Sequence, residues 1–555
     1  MKTTTDYYDL GNHSLAITTS SPEGQLWFDR GLLQCYGFNH GEAVRCFRRA
    51  LDADPGCAMA YWGVAYALGP YYNKAWSAFD EAEFKAVLAE AYEATMKALT
   101  LLDGVSELEQ ALIRSLQFRY PTAIPGAADT SAWVDQYAAE MLRVHRRFPH
   151  HSDVSTLAAE ALITRTPWKL WDLKTGSIAK GASTDQAVEV LEAALERIEE
   201  TGAPQHPGLL HLYIHTMEMS PNPEHALKAA DRLRSLVPDA AHLLHMPSHI
   251  DVQCGQYQAA IDSNEAAIIA DRKFVEREGS MNFYTLNRCH DYHFKVYGAM
   301  FLGSYRLAIE AAEEMNSTIP VELLRMKSPP MADWLESYVS TKQHVLIRFG
   351  RWDDIITQQL PEDRDLFCVT TAMMRYARAV AYATRGDLPS AQNEAVLFDE
   401  AALNVPASRY LFNNTCLDLL GVAREMMLGE IEYRLGHFKE AFAHLHKSVA
   451  LDDGLLYDEP WGWMQPTRHA LAALLLEQGQ VEKAANIYRA DLGLDGTLSR
   501  ARQHPDNVWS LHGYHECLLR LGRISEAEII GQRLKLASAR TDIPITASCF
   551  CRLEA

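Results

Sequence analysis

Three short clusters between Leu210 and Phe294 together hold seven histidines and one glutamate, at spacings that favour metal binding. Residues three, four or seven positions apart share one face of an α-helix, because the helix turns once in about 3.6 residues. Neutral imidazoles are common ligands of transition metals, and two of them four residues apart on a helix can bind one ion. The clusters are His211, His215 and Glu218; His242, His245 and His249; and His290 and His293.

The residues of these clusters have different expected roles. Glu218 is predicted to be a ligand or a base, and His242 and His290 are expected to orient the ligands or move protons. Glu160 and Tyr297 are further candidates for catalysis; alternatively, Glu160 is only a solvated carboxylate and Tyr297 only an aromatic residue of the groove. The predicted metal ligands are His211, His215, His245, His249 and His293.

The donor types narrow the chemistry to a first-row transition metal. Histidine and carboxylate ligands with open coordination positions suit iron, copper or zinc. We expect a metal-dependent enzyme, an oxidoreductase that uses copper or iron to oxidise a small organic substrate. A zinc-dependent hydrolase is an alternative, as is metal storage or sensing without turnover. The zinc-protease motif is excluded, because no glutamate follows His211.

A second pattern marks turns between paired helices along the chain. A glycine is followed two residues later by an apolar or aromatic residue and then, three residues further on, by alanine. Each such glycine follows a helical apolar pattern, so we expect it to end a helix in the left-handed conformation. The glycines are Gly255, Gly303, Gly386, Gly436, Gly479 and Gly522, with Gly350 as a partial copy.

The region from Trp27 to Pro55, with Tyr61 thirty-four residues after Trp27, resembles the tetratricopeptide repeat. The motifs HLYIHTME, HLLHMPSHI and DYHF are similar to those of a tetratricopeptide family of bacteria and fungi. The resemblance implies an all-α fold, an α-solenoid of stacked helical hairpins in a tetratricopeptide-like superhelix. It also implies that the first helix of each hairpin lines a concave groove. An interaction scaffold that binds a peptide partner in that groove is therefore a further alternative.

Loop-forming residues divide the predicted array. Proline, glycine and tryptophan indicate irregular loops at Tyr120–Asp129 and Thr166–Ala182. In the second loop, Trp168 and Trp171 wall a ligand pocket or pack on the scaffold. We expect an N-terminal extension (1–21), N-terminal repeats (22–119), an irregular helical segment (120–200), histidine-rich repeats (201–315), C-terminal repeats (316–538) and a C-terminal tail (539–555).

Charge and cysteine usage bear on partners and compartment. The net charge of −20 argues against nucleic acid or an anionic membrane as partners. A polar N-terminus, scattered cysteines and the lack of a long apolar run predict a cytoplasmic protein that spans no membrane. Cys549 and Cys551 are expected to be two thiols on a frayed tail; a soft-metal site or a disulfide are the alternatives.

Overall fold

The computed structural model describes residues 7–127 and 129–553, and their regular secondary structure is almost entirely helical. They form two compact units. The first comprises the described residues up to Ile250 together with Ala266–Arg277. The second comprises Asp251–Glu265 and the described residues from Glu278 onward. Among the described residues, no helix is both long and apolar enough to cross a lipid bilayer.

The first unit is built from helices α1 to α11. Their bounds are α1 Pro22–Tyr36, α2 His40–Ala53, α3 Ala58–Leu68, α4 Glu81–Leu99, α5 Glu107–Arg119, α6 Thr130–Arg147, α7 Ser152–Ile163, α8 Thr184–Thr201, α9 Pro207–Met217, α10 Leu227–Leu233 and α11 Ala241–His245. The chain passes between the units within α12 Pro247–Gln253 and α13 Tyr257–Glu278. Short 3₁₀ turns lie at Trp76–Ala78, Leu102–Gly104, Pro125–Ala127 and Pro223–Ala226.

The second unit continues the helical pattern and adds one small hairpin of strands. Its helices are α14 Thr285–Leu302, α15 Tyr305–Ser317, α16 Val321–Leu324, α17 Met331–Val339, α18 Thr341–Arg348, α19 Trp352–Thr357, α20 Cys368–Thr384, α21 Leu388–Ala402, α22 Cys416–Arg434, α23 Phe438–Asp452, α24 Thr467–Glu477, α25 Val481–Asp491, α26 Val508–Arg520 and α27 Ile524–Ser538. A 3₁₀ turn lies at Arg500–Arg502. The strands β1 Tyr410–Leu411 and β2 Asn414–Thr415 pair antiparallel, with Leu411 opposite Asn414.

Consecutive helices pair as hairpins, and the hairpins stack on one another. In the first unit α1 packs on α2, α3 on α4, α5 on α6 and α7 on α8, while α1 contacts α3 and α7 contacts α9. In the second unit α20 packs on α21, α22 on α23 and α24 on α25, while α20 contacts α22 and α24 contacts α26. A hairpin cannot bury its apolar faces alone, so stacking supplies the core. The predicted all-α fold of stacked helical hairpins is confirmed.

The turn glycines behave as the sequence predicts. Their φ angles are positive, from +62° to +81°. A helix begins two residues after each of them, as α23 does after Gly436 and α27 after Gly522. The left-handed conformation is easily reached only without a Cβ, which explains why glycine recurs there. The seven are Gly255, Gly303, Gly350, Gly386, Gly436, Gly479 and Gly522.

Irregular segments lie where loops were predicted, but the tail differs from expectation. No helix covers residues 120–124, and residues 164–183 link α7 to α8 without a helix. The tail is not frayed, because Ala547, Ser548, Cys551 and Arg552 are buried. Cys549 and Cys551 form a disulfide, while the other eight cysteines are free thiols.

Replacing Gly436 with alanine tests the turn geometry. A Cβ at Gly436 would meet no atom within 4 Å, so only backbone strain opposes the substitution. We expect Gly436→Ala to destabilise the protein by about 1 kcal/mol. The control is Gly421→Ala, which also meets no atom within 4 Å but lies inside α22. It should stabilise by about 0.5–1 kcal/mol. Urea unfolding followed by circular dichroism measures the free energy of unfolding of both variants. If both substitutions change it equally and in the same direction, Gly436 is not constrained by its left-handed conformation.

Candidate metal centre

Helix α9 carries the first histidine cluster in a buried setting. Pro207 occupies its first turn, where a missing N–H costs nothing, and the His206 side chain accepts a hydrogen bond from the Leu209 N–H at 3.2 Å. The helix is mostly apolar and is buried along its whole length. His211 and His215 lie one turn apart on it, and both side chains have no exposed surface.

The second cluster lies on two short helices separated by a proline. His242 and His245 belong to α11, and His249 belongs to α12, which begins at Pro247. Proline cannot donate the hydrogen bond that would continue α11, so the helix restarts at this residue. All three imidazoles are buried. The resemblance to groove-lining positions implied exposed side chains, whereas these histidines are enclosed.

Three imidazoles from the two clusters converge. His211, His215 and His242 each offer a ring nitrogen that lies within 4.8 Å of the other two. The Nε2 atoms of His211 and His242 are 3.1 Å apart. Two nitrogens bound to one tetrahedral ion at about 2.1 Å are themselves about 3.4 Å apart, so this pair is close to the spacing of shared ligands. We call His211, His215 and His242 the three-histidine group.

Hydrogen bonds fix which nitrogen of two of these rings is available. His211 donates from Nδ1 to the carbonyl oxygen of Tyr36 at 2.6 Å, since a carbonyl can only accept. His215 donates from Nδ1 to Oε1 of Glu218 at 2.9 Å. Both rings therefore keep a lone pair on Nε2, and that of His211 accepts a hydrogen bond from Nε2–H of His242. The Nε2 atom of His215 is buried and has no hydrogen-bond partner among the described residues. A buried nitrogen of this kind can bind a metal cation or accept a hydrogen bond from a donor.

Glu218 connects the three-histidine group to the remaining two histidines. Its Oε2 accepts a hydrogen bond from Nδ1 of His249, while its Oε1 accepts the bond from His215. The Nε2 atom of His249 faces Nε2 of His245 at 2.6 Å. Glu218 has no exposed surface. One buried carboxylate thus orients two imidazoles from different helices.

Burial keeps the three-histidine group neutral at physiological pH. Desolvation lowers the pKa of His211 to about 3, although the hydrogen bond to Tyr36 opposes it. Desolvation also holds the pKa of His215 and His242 well below the ordinary value, and the neighbouring imidazoles lower both further. A neutral imidazole is the form that binds a metal.

Aromatic residues far away in sequence enclose the group. The Phe38 ring centroid lies 4.4 Å from that of His211, 5.2 Å from His242 and 5.6 Å from His215. Tyr72 lies 4.8 Å from His215, and the half-buried Trp168 lies 6.0 Å from it. No sequence pattern around Phe38 or Tyr72 predicts that these residues enclose the three-histidine group.

The irregular segment 164–183 is anchored beside the group. The indole N–H of Trp171 donates to the backbone oxygen of Thr216 at 2.7 Å, directly after His215. Trp168 also packs against Tyr72 at 4.7 Å between ring centroids and has a positive φ of 62°. Backbone strain of this kind persists only where surrounding contacts impose it. Trp168 therefore borders the three-histidine group.

The other candidates lie outside the three-histidine group. Glu160 is buried on α7 and accepts a hydrogen bond from the Tyr66 hydroxyl. His290, His293 and Tyr297 belong to α14 of the second unit. His290 packs on Phe412 at 4.6 Å, His293 on Tyr338 at 5.2 Å and Tyr297 on Phe301 at 4.6 Å between ring centroids.

A further set of ligand types in the first unit has a structural explanation. His13, Asp153 and His206 offer atoms close enough to hold an ion. However, Nδ1 of His206 accepts the Leu209 N–H, so the proton is on Nε2, which donates to Asp153 at 3.2 Å. His206 has no lone pair left for a metal. Although burial raises the pKa of Asp153, the imidazoles of His206 and His13 outweigh it and hold the pKa well below its usual range.

Comparison with known proteins adds little to this geometry. No family model matches the sequence, and no curated protein matches it either. Human IFIT1 with m7Gppp-AAAA is 11% identical over 87% of this chain and 90% of that chain, with a TM-score of 0.35. Yeast Tom70 is 12% identical over 92% of this chain and 99% of that chain, with a TM-score of 0.30. Scores this low carry no argument about function, which must come from the residues of this chain.

Glu160 gives a prediction about pH. Burial raises its pKa from 4.5 to about 8, so the native state keeps a proton that the unfolded chain loses between those values. The wild-type protein therefore loses stability from this group as the pH rises through that window. Glu160→Gln keeps an acceptor for Tyr66 and removes the titration. Between pH 5 and pH 8, the free energy of unfolding of the variant relative to wild type should therefore rise by on the order of 3 kcal/mol.

Urea unfolding at the two pH values measures this gain. The control is Glu200→Gln, because Glu200 is exposed and its substitution should leave the pH dependence unchanged. If Glu160→Gln shifts stability by the same amount at pH 5 and pH 8, Glu160 is not a protonated buried acid.

Proposed function

We propose that the protein is a metal-dependent oxidoreductase whose three-histidine group holds a first-row transition metal, copper or iron. The observation that carries this proposal is the convergence of three buried, neutral imidazoles within 4.8 Å. The orientation of two of them by Tyr36 and Glu218 supports it, as does the partnerless Nε2 of His215.

The donor set favours a centre with an open position. Three protein ligands that leave one position for water or substrate are typical of catalytic rather than structural metal sites. Imidazole ligands suit copper, iron and zinc. A bound copper or iron ion would supply dioxygen activation for oxidation of a small organic substrate. A bound zinc ion would instead supply a water of lowered pKa for hydrolysis.

The surrounding residues have defined tasks under this proposal. Glu218 accepts a hydrogen bond from Nδ1–H of His215, so that ring presents a lone pair at Nε2. Phe38 covers the three rings and keeps water from their faces. Tyr72 and Trp168 pack beside His215, at 4.8 and 6.0 Å between ring centroids, and would contact a substrate bound there. In this assignment His242 is a ligand, and His245 and His249 support the site through Glu218.

Metal analysis tests the proposal directly. We expect wild-type protein to retain about one ion per chain, since the three-histidine group forms one site with three ligands. His211→Gln/His215→Gln should lose it while circular dichroism stays unchanged. The matched control is His344→Gln, which alters another buried imidazole, in the second unit. Plasma mass spectrometry measures the content after dialysis against a weak chelator.

Each outcome of the metal analysis leads to a different conclusion. Copper or iron, lost only in the double variant, would support the oxidoreductase and justify oxygen-consumption assays with candidate substrates. Zinc that is lost only in the double variant would support a zinc-dependent hydrolase instead of an oxidoreductase. Protein that takes up no metal after reconstitution, or a control variant that loses metal equally, would refute the assigned site.

Glu218 provides a finer prediction. Glu218→Gln leaves only one side-chain acceptor, so His215 and His249 can no longer both be oriented. We expect metal affinity to fall about 10–100-fold, the usual effect of removing a carboxylate behind a histidine ligand. Competition with a chromophoric chelator measures the affinity. An unchanged affinity would show that Glu218 does not orient the site.

An interaction scaffold is a second candidate, favoured by exposed apolar side chains on the helical hairpins. Ile529 and Leu536 lie seven residues apart on one face of α27 and are 64% and 75% exposed. Large exposed apolar residues on one face often mark protein-binding sites. Under this reading, Ile529→Glu/Leu536→Glu abolishes binding of a peptide or protein partner and leaves metal content unchanged.

A further inference from the structure

The C-terminal tail, residues 539–553, is fixed to the second unit by specific contacts. The Asp542 carboxylate accepts the backbone N–H groups of Tyr305 and Arg306 at 2.7 and 2.8 Å, which caps α15. Phe550 packs on Trp509 with 5.8 Å between ring centroids. Arg552 forms two hydrogen bonds with Glu516 at 2.7 and 3.0 Å. The disulfide between Cys549 and Cys551 is therefore held in a defined setting.

The two sulfur atoms differ in their surroundings. Cys551 is buried with 3% exposure, whereas Cys549 is only half-buried. The Cys551 N–H donates to Sγ of Cys549 at 3.3 Å. Both cysteines line a cavity of about 30 Å³ that Arg348 and Met426 also line. Cys549 is thus the more exposed residue of the pair.

Arg348 places a buried positive charge at the wall of this cavity. The side chain is buried, and its Nη1 donates to Nδ1 of His469 at 3.1 Å while its Nη2 donates to the backbone oxygen of Ser548. Its Nε–H has no hydrogen-bond partner among the described residues. The Asp491 carboxylate opposes the lowering of the pKa of Arg348 by burial, so this guanidinium already has an anionic neighbour, and its unused Nε–H can donate to a further acceptor. Burial lowers the pKa of Arg348 to about 9, which still leaves it positive at neutral pH.

We propose that Cys549 and Cys551 form a redox-active pair that exchanges with low-molecular-weight thiols, with Cys549 as the sulfur attacked from solvent. A thiolate formed at Cys551 lies in the cavity lined by Arg348. Cationic neighbours stabilise thiolates and make their sulfur atoms better leaving groups. The pair is independent of the three-histidine group, so either proposal can fail alone.

The exchange balances in two steps. An external thiolate attacks Sγ of Cys549, a mixed disulfide forms there, and the electron pair of the broken bond leaves on Sγ of Cys551. A second external thiolate then attacks the outer sulfur of the mixed disulfide and releases the thiolate of Cys549. Two thiols become one disulfide, and the protein pair gains two electrons and, after protonation, two protons.

The cavity is less suited to the alternative of a soft-metal site. His469 also lines it, but its Nδ1 accepts from Arg348 and its Nε2 donates to Asp491 at 2.9 Å, so it offers no lone pair. The cation of Arg348 also opposes a second positive charge. Glu430 lines the cavity too, but its carboxylate pairs with Arg434 at 2.8 Å.

Native-state thiol exchange tests the proposal. Full-length protein is incubated with reduced glutathione, quenched with N-ethylmaleimide and mapped by peptide mass spectrometry, with circular dichroism as the test of folding. We expect reduction of the pair without unfolding. With oxidised glutathione, Cys551→Ser should form the mixed disulfide at Cys549 roughly tenfold faster than Cys549→Ser forms it at Cys551. The half-buried thiol of Cys254 is an internal reference.

The role of Arg348 is tested in the same assay. Arg348→Gln should slow reduction of the pair several-fold, whereas Arg351→Gln, at an exposed arginine nearby, should not. Arg348→Lys, which keeps the charge, serves if the glutamine variant does not fold. The proposal is overturned if the pair reacts only in urea, if both single thiols react at equal rates, or if the cysteines are isolated as a metal-bound dithiol.

Discussion

The interior of the first unit depends on how its buried imidazoles satisfy their nitrogen atoms. A buried imidazole has one N–H and one lone pair, and each costs free energy if it has no partner. Tyr36 and Glu218 accept the N–H groups of His211 and His215, which leaves two lone pairs directed elsewhere. The Nε2 lone pair of His211 accepts a hydrogen bond from Nε2 of His242, whereas that of His215 has no hydrogen-bond partner among the described residues, and this second lone pair is the strongest argument for a metal.

The stacked hairpins explain how such a group can be assembled at all. Helix α9 is buried along its whole length, and α7, α8, α10 and α1 all contact it. A helix surrounded in this way holds its polar side chains in fixed directions. The turn after α1 then brings Phe38 and the Tyr36 carbonyl to the same place. A rigid scaffold of this kind is what a preorganised site requires.

Local patterns in the sequence predict local structure well and long-range contacts poorly. The turn glycines and the shared face of His211 and His215 depend on neighbours a few residues apart, so both could be predicted. The contact of His211 with Tyr36 joins residues 175 positions apart, and no spacing rule contains it. The contact of His242 with His211, at 3.1 Å between their Nε2 atoms, likewise joins two helices, and no spacing rule contains it. Enclosure of the histidines likewise depends on packing that periodicity does not describe.

The two proposed sites follow from one physical rule applied to opposite charges. The Nε2 atom of His215 is a buried lone pair without a partner among the described residues, and it is complementary to a cation. The Nε–H of Arg348 is a buried donor in the same situation, and it is complementary to an anion. Neutral imidazoles surround the first, whereas two sulfur atoms that can become thiolates share a cavity with the second. An unsatisfied buried group costs about 1–3 kcal/mol, so a ligand that completes either group would add to the stability of the protein.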